Sequence, residues 1–134
     1  MLSKMKSALA ATALIGLAVS AHAAPRLSPD QRLAKAVEGR VAGEPVSCID
    51  HSRIRSSRII DGTAIVYQIG NTMYVNRPVG AEALDDWDVL VTRLHGSKLC
   101  DRDIVRLVDP NSRMLSGAVS LGEFVPYKKV KKTG

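Results

Sequence analysis

The sequence predicts a mainly β fold: a small antiparallel sandwich or partly open barrel with one short N-terminal helix. Three observations predict it. From Val46 onward, short runs rich in Val, Ile, Thr and Tyr alternate with Gly, Asn, Asp and Pro signals at intervals of roughly ten residues, the spacing of an all-β domain. Two of the breaks, Asp61-Gly62 and Gly70-Asn71, are dipeptides that tolerate positive φ and so join antiparallel neighbours. Only one mature segment, beginning at Ser28, carries helix-start chemistry. A single sheet with that helix over one face is the alternative arrangement of the same elements.

The first 23 residues read as a signal peptide rather than as part of the fold. Lys4 and Lys6 supply a positive start, Ala8 to Val19 form a small and apolar run, and Ala21-His22-Ala23 matches an A-x-A cleavage site. The apolar run is about 12 residues, against about 20 needed to cross a bilayer. No cysteine follows it to take a lipid. Cleavage near Ala23 places the product in the periplasm or outside the cell, and no later apolar stretch reaches spanning length.

Residues 24–45 form a linker and the short helix. Ser28 is the cap, Pro29 suits the first helical position, Gln31 completes a capping box, and Gly39 stops the helix. Leu33, Ala36 and Val37 make a narrow apolar stripe, so a helix of about ten residues must dock to persist. Residues 46–127 form the β domain. Val46 to Ile49 is a short strand containing Cys48. Ile54 to Ile60 and Thr63 to Ile69 form a hairpin, and Thr72 to Asn76 returns as a third strand. Ala64-Ile65-Val66-Tyr67 is apolar on both faces, as a central strand should be. Pro78 to Asp86 is an acidic loop. Trp87 to Leu94 is the next strand, with Val89 and Val91 on one face. His95 to Lys98 is a turn, Asp103 to Val108 a strand, and Asp109 to Ser112 a turn. Ala118 to Leu121 and Phe124 to Tyr127 are extended pieces broken at Gly122. Residues 128–134 are a basic tail.

The formal charge of +6 overstates the basicity of the domain. Lys4 and Lys6 belong to the leader and Lys128, Lys129, Lys131 and Lys132 to the tail, so the body is close to neutral. A nucleic-acid binder should present a basic face, and one Phe, one Trp and three Tyr are too few for a stacking platform. Contact of the four tail lysines with an anionic surface is at the lower limit of what such binding needs. Cys48 and Cys100 form an even pair in an exported chain, which points to a disulfide, with two free buried thiols as the alternative.

Cys48-Ile49, Ile54-Arg55-Ser56-Ser57-Arg58, Asp61, Tyr74-Val75-Asn76-Arg77, Leu99-Cys100 with Asp103, and Leu121-Gly122-Glu123-Phe124-Val125-Pro126-Tyr127 form a set. Over residues 46–127 this set resembles a family of small exported proteins of unknown function from Gram-negative bacteria. Related members often carry two further cysteines, near Ala81 and near Val119. Their joint absence implies that those two pair with each other, leaving Cys48 to pair with Cys100. The resemblance carries no catalytic residues.

Candidate sites are few. Cys48, His51, His95 and Cys100 have a loose two-Cys, two-His zinc spacing, which an oxidising compartment opposes by favouring the disulfide. A bridge would gather His51 and His95 near Asp50, Asp101 and Asp103, so a small hydrolase using either histidine with an aspartate is an alternative. Arg53 and Arg55, spaced by two, fall on one strand face with Arg58 on the other, and a two-arginine clamp suits an anion. Asp85, Asp86 and Asp88 flank Trp87 without the Asp-x-Asp-x-Asp-Gly calcium pattern, and the indole is expected as a core anchor or edge cover. No phosphate loop, nucleophile elbow or Cys-x-x-Cys occurs, and no cofactor is implied. The expectation is a non-enzymatic binding or structural module of the cell envelope.

Overall fold

The computed structural model describes residues 13, 15–18, 20, 21 and 23–131. Most of the expected signal peptide therefore lies outside the described residues. Of those described there, Ile15 and Leu17 are exposed and none is in a helix or strand.

The helix start behaves as its chemistry requires. In α1 (Pro29–Ala36) the Ser28 hydroxyl accepts from the Gln31 amide, and the Gln31 side chain accepts from the Ser28 amide. Leu33 is its buried residue, and Ala36 and Val37 are half-buried beside it. Gly39, at φ +73, turns the chain directly into β1 (Arg40–Ala42), a strand the sequence did not announce.

The strands then follow as β2 (Cys48–Asp50), β3 (Ser56–Ile60), β4 (Ala64–Ile69), β5 (Thr72–Asn76), β6 (Val89–Thr92), β7 (Lys98–Cys100), β8 (Ile104–Val108), β9 (Leu115–Ser120) and β10 (Phe124–Lys129). They make an antiparallel five-stranded sheet β1-β10-β5-β4-β3, a three-stranded sheet β6-β8-β9 and a ribbon β2-β7. The sheets do not close into a barrel. β10 runs to Lys129, so Lys128 and Lys129 pair with Val41 and Arg40 instead of belonging to a free tail.

Alternation sorts the five-stranded sheet into two apolar faces. Ile59, Ile65, Tyr67 and Phe124 face Leu107, Val105, Val119, Leu121, Ile49 and Leu99 from the other two sheets. Ile60, Ala64, Val66 and Val75 on the opposite face receive Leu33 of α1. The fold is thus a partly open sandwich that also carries its helix on one outer face. Burying Leu33 contributes about 1.5–3 kcal/mol, enough to hold a helix of this length that would be marginal alone.

Local details depart from the expected pattern for physical reasons. Ile60 pairs with Ala64, so the hairpin turn has three residues, Asp61 to Thr63, with Gly62 at φ +58. Trp87 is 62% exposed, so it is not a core anchor. The loop backbone is held there by Asp61 and Asp85, which accept from the Asp86 and Trp87 amides.

Candidate functional site: an arginine-lined groove

Cys48 and Cys100 are directly opposite in the β2–β7 register and are joined by a disulfide, with Cα atoms 4.0 Å apart. Both sulfurs are consumed, so the Cys48, His51, His95, Cys100 set does not supply two thiolates to a metal. His51 and His95 are both exposed, and among the described residues neither imidazole is hydrogen-bonded to a carboxylate. The carboxylates expected beside them are engaged elsewhere. Asp50 accepts from the Ser52 hydroxyl at 2.7 Å and the Ser52 amide at 3.0 Å. Those bonds, the hydroxyl's first, hold Asp50 below the usual carboxylate range. Asp103 accepts from the Cys100 amide at 2.7 Å. The bridge does gather these residues into one region, but in turn-capping roles.

Arg53 ends a short 3-10 turn (His51–Arg53) and Arg55 precedes β3, so the two do not share a strand face. Arg55 anchors itself by its backbone, its amide donating to the Gln68 carbonyl at 2.8 Å. Neither lines the grooves described below.

The acidic group that sequence spacing placed around Trp87 is built differently. Asp61, Asp85 and Asp86 converge, with ligand atoms within 4.8 Å of one another. Arg32 of α1 answers them, its two terminal nitrogens lying 2.7 Å from Asp61 and 2.8 Å from Asp86. Asp61 also accepts from the Asp86 amide at 2.6 Å. Burial pushes the Asp61 carboxyl up, but the Arg32 and Asp86 hydrogen bonds and the Arg32 charge together hold it below its ordinary value. This cluster ties the helix to the loop before β6.

Cationic side chains line a groove toward the far end of β6. A groove of about 630 Å³ is lined by Val91, Thr92, Arg93, His95, Arg102, Asp103, Ile104 and Arg106. The pairing of β6 with β8 sets Val91 opposite Arg106 and places Arg93, one residue past the strand, toward Ile104. Exposed and covered positions alternate along both segments, so Val91, Arg93, Ile104 and Arg106 share the outward face. None of Arg93, Arg102 and Arg106 has an ion pair among the described residues.

The third arginine is held by a strained turn. Arg102 has φ +69, a left-handed conformation that costs a side-chain-bearing residue about 1–2 kcal/mol. Five bonds fix it there. Asp101 N–H donates to Ser47 (2.7 Å), Arg102 N–H to Leu121 (2.7 Å), Asp103 N–H to Cys100 (3.2 Å), Leu121 N–H to Asp103 (2.9 Å), and Cys100 N–H to the Asp103 carboxylate (2.7 Å). The disulfide pins the start of this turn to β2. The result is three fixed-charge guanidiniums beside one carboxylate already in use, in a concavity with apolar Val91 and Ile104 on its walls. Such an arrangement suits a multiply charged anion, because guanidinium forks bind carboxylate or phosphate in a bidentate manner.

Sequence reasoning missed this group because β6 and β8 are neighbours in space but not in order. The one readable signal was alternation, which put Arg93 on the face of Val89 and Val91. Comparison with protein families, curated proteins and solved structures finds no match to this chain.

Proposed function

We propose that the chain is an exported, disulfide-closed β domain of the cell envelope that works by binding, and that its ligand is anionic. The observation that carries the second part is the groove of Arg93, Arg102 and Arg106. A folded domain has tolerated a left-handed arginine there, and three unpaired guanidiniums lining one concavity suit an anion. The leader chemistry of residues 1–23, the resemblance to small exported proteins and the disulfide support the location. Ile15 and Leu17, exposed and outside the core, support a leader that the fold does not use. The histidines support binding over hydrolysis, since among the described residues no carboxylate is hydrogen-bonded to either ring.

The test is a thermal melt of the mature protein at low ionic strength with phosphate, citrate and polyglutamate. Saturation at 100 times Kd should add about 2.7 kcal/mol to stability, and added salt should erase it. Arg102→Gly is the informative variant. Glycine accepts φ +69 without strain, and its greater chain entropy offsets that gain, so stability should change by less than about 1 kcal/mol. Anion affinity should nevertheless fall several-fold. Unaltered melting of the wild type with every anion at low salt overturns the binding reading. For location, N-terminal sequencing of a periplasmic fraction should begin near Ala24; an intact Met1 on cytoplasmic protein overturns export.

A further inference from the structure

The arginine groove lies over the outward face of the three-stranded sheet, and that face is left bare. Leu90, Val105, Leu107 and Val119 point from β6, β8 and β9 into the core. Alternation turns their neighbours outward, and strand pairing sets these in rows. Val89, Val108 and Leu115 make one row, and Val91, Arg106 and Ala118 the next. Val89, Val91, Ile104 and Leu115 are 46% to 64% exposed, so the fold leaves their apolar surface in water. Trp87 and Met114, exposed too, precede Val89 and Leu115 and so flank one end of the sheet. Cations surround this apolar surface. Among the described residues the two non-glycine residues with positive φ are Arg102 and Arg113, one before β8 and one before β9, at opposite ends of this sheet. With Arg93 and Arg106 they make four exposed arginines, none in an ion pair among the described residues. The nearby carboxylates are half-buried and bonded within the fold: Asp103 to the Cys100 amide, Asp88 to the Ser116 hydroxyl, and Asp109 to the Asn111 and Ser112 amides.

From this we infer that the outward face of β6, β8 and β9 docks on a lipid bilayer with anionic headgroups, one headgroup seated in the groove of Arg93, Arg102 and Arg106. This rests on the anion-binding reading above and names the source of the anion. Charge and apolar surface are interleaved on this face. The boundary between headgroups and acyl chains meets both at once, with guanidiniums at the phosphates and aliphatic side chains below them. A small soluble anion answers the arginines but leaves Val89, Val91, Ile104 and Leu115 in water. A second copy of this chain, packed face to face, brings arginine against arginine, which like-charge repulsion opposes. Trp87 at the rim suits the headgroup level, where an indole keeps one end wet. The larger groove beside α1, of about 840 Å³, lacks this pattern, since it mixes Arg32, Lys35 and Arg58 with Asp86 and Asp88. The tail lysines follow β10, which belongs to the five-stranded sheet, so they are not part of this face.

Trp87 is the single tryptophan of the chain, so it reports on the rim of this face without a label. The mature protein is mixed at low ionic strength with vesicles of phosphatidylcholine alone and of an equimolar mixture with phosphatidylglycerol. It should bind the mixed vesicles only, and salt should release it. Trp87 emission should move to shorter wavelength and be quenched by lipids brominated on the acyl chain. Arg106→Gln should lose about fivefold in vesicle affinity, the factor one arginine carries at an anionic surface. Leu115→Ser should lose a similar factor, about fivefold, yet keep the rise in melting midpoint that phosphate gives. Both positions are exposed, so both variants should melt with the wild type, and Ile104→Ser repeats the test if either fails to fold. Vesicle binding with no change at Trp87, or undiminished by Leu115→Ser, overturns docking through the apolar face. A larger loss from Lys131→Gln with Lys132→Gln than from Arg106→Gln moves the contact to the tail and overturns it too. Tighter binding of polyglutamate than of mixed vesicles, charge for charge, makes an acidic polypeptide the partner and overturns the lipid. Doubled mass of the free protein with Trp87 already shielded makes a second copy the occupant and overturns it as well. If vesicles fail while phosphate or citrate still raises the melting midpoint, the bilayer is overturned and the anion site stands. Failure of vesicles and of every soluble anion overturns the anion-binding reading itself.

Discussion

Asn76 is fully buried, and its side chain clamps the backbone of a distant residue. Its amide nitrogen donates to the Gly122 carbonyl at 2.7 Å, and its oxygen accepts from the Gly122 amide at 2.9 Å. Both partners become orphans if the side chain is cut back. Asn76→Ala should therefore cost about 2–4 kcal/mol, read from the midpoint of a urea titration. A loss under 1 kcal/mol would mean that water replaces the clamp. Gly122 is fixed from the other side too, since a Cβ there would meet the Arg77 carbonyl at 2.9 Å. The break that the sequence shows at Gly122 is thus a close approach of two chains. A second residue-scale prediction concerns acid. Asp61, Asp50 and Asp109 are all held below the ordinary carboxylate value in the fold, Asp109 by the Ser112 and then the Asn111 amide. A depressed folded pKa gives stability that is complete above the unfolded value near 4 and is lost as pH falls through the lower folded value. Melting temperature should hold from pH 7 to about 5 and drop below about 4. The drop should be shallower in Asp61→Asn, and an equally steep drop would remove Asp61 from the account.

Elements were legible where a local rule fixes them. β5 runs Thr72–Asn76 as the alternation between Gly70-Asn71 and Pro78 demands, and Ser28 to Gln31 set the helix start without help from the rest of the chain. β1 and β7, at three residues each, were not legible. Their partners are β10 and β2, far away in sequence, and three residues carry too little periodicity to register. The ribbon β2–β7 shows what such a short element needs. Two three-residue strands are weak alone, and the disulfide closing a separation of 52 residues is their covalent tie. The chain-entropy model gives about 4 kcal/mol for a loop of that length, with measured losses of 2–5 kcal/mol for small secreted domains. Replacing both cysteines, Cys48→Ser with Cys100→Ser, should lower stability by that amount in a denaturant titration. It should also weaken anion binding more than it would if the bridge only stabilised the fold, because Cys100 begins the turn that holds Arg102. Unchanged anion affinity in the still-folded fraction would show that the turn's hydrogen bonds suffice without the bridge.

At the scale of the molecule, chemistry that was spread along the chain became a site only through pairings the sequence does not print. Arg93 and Arg106 line one groove because β8 lies beside β6, with β7 placed elsewhere; Arg53 and Arg55, two apart in sequence, are separated by the end of a 3-10 turn. Charge counting pointed away from nucleic acid, since the body is nearly neutral as a whole, and spacing put the anion clamp at Arg53 and Arg55. The fold segregates that balance instead, setting Asp61, Asp85 and Asp86 around Arg32 ahead of β6 and the unpaired guanidiniums toward its far end. The apolar surface is segregated as well. Among the described residues every buried hydrophobic one, from Leu33 to Phe124, lies beyond residue 23, while Ile15 and Leu17 are exposed. On the proposed reading of residues 1–23 as a removable leader, they add no folding free energy, and their apolar side chains favour association with other surfaces. A chain beginning at Ala24 should therefore have the same unfolding midpoint as the full chain, within about 0.5 kcal/mol, the usual spread for changes that touch no buried feature. It should also stay monomeric to higher concentration in light scattering. A midpoint lowered by 2 kcal/mol or more would place residues 1–23 in the fold, and with that the reading of them as a removable address would fail.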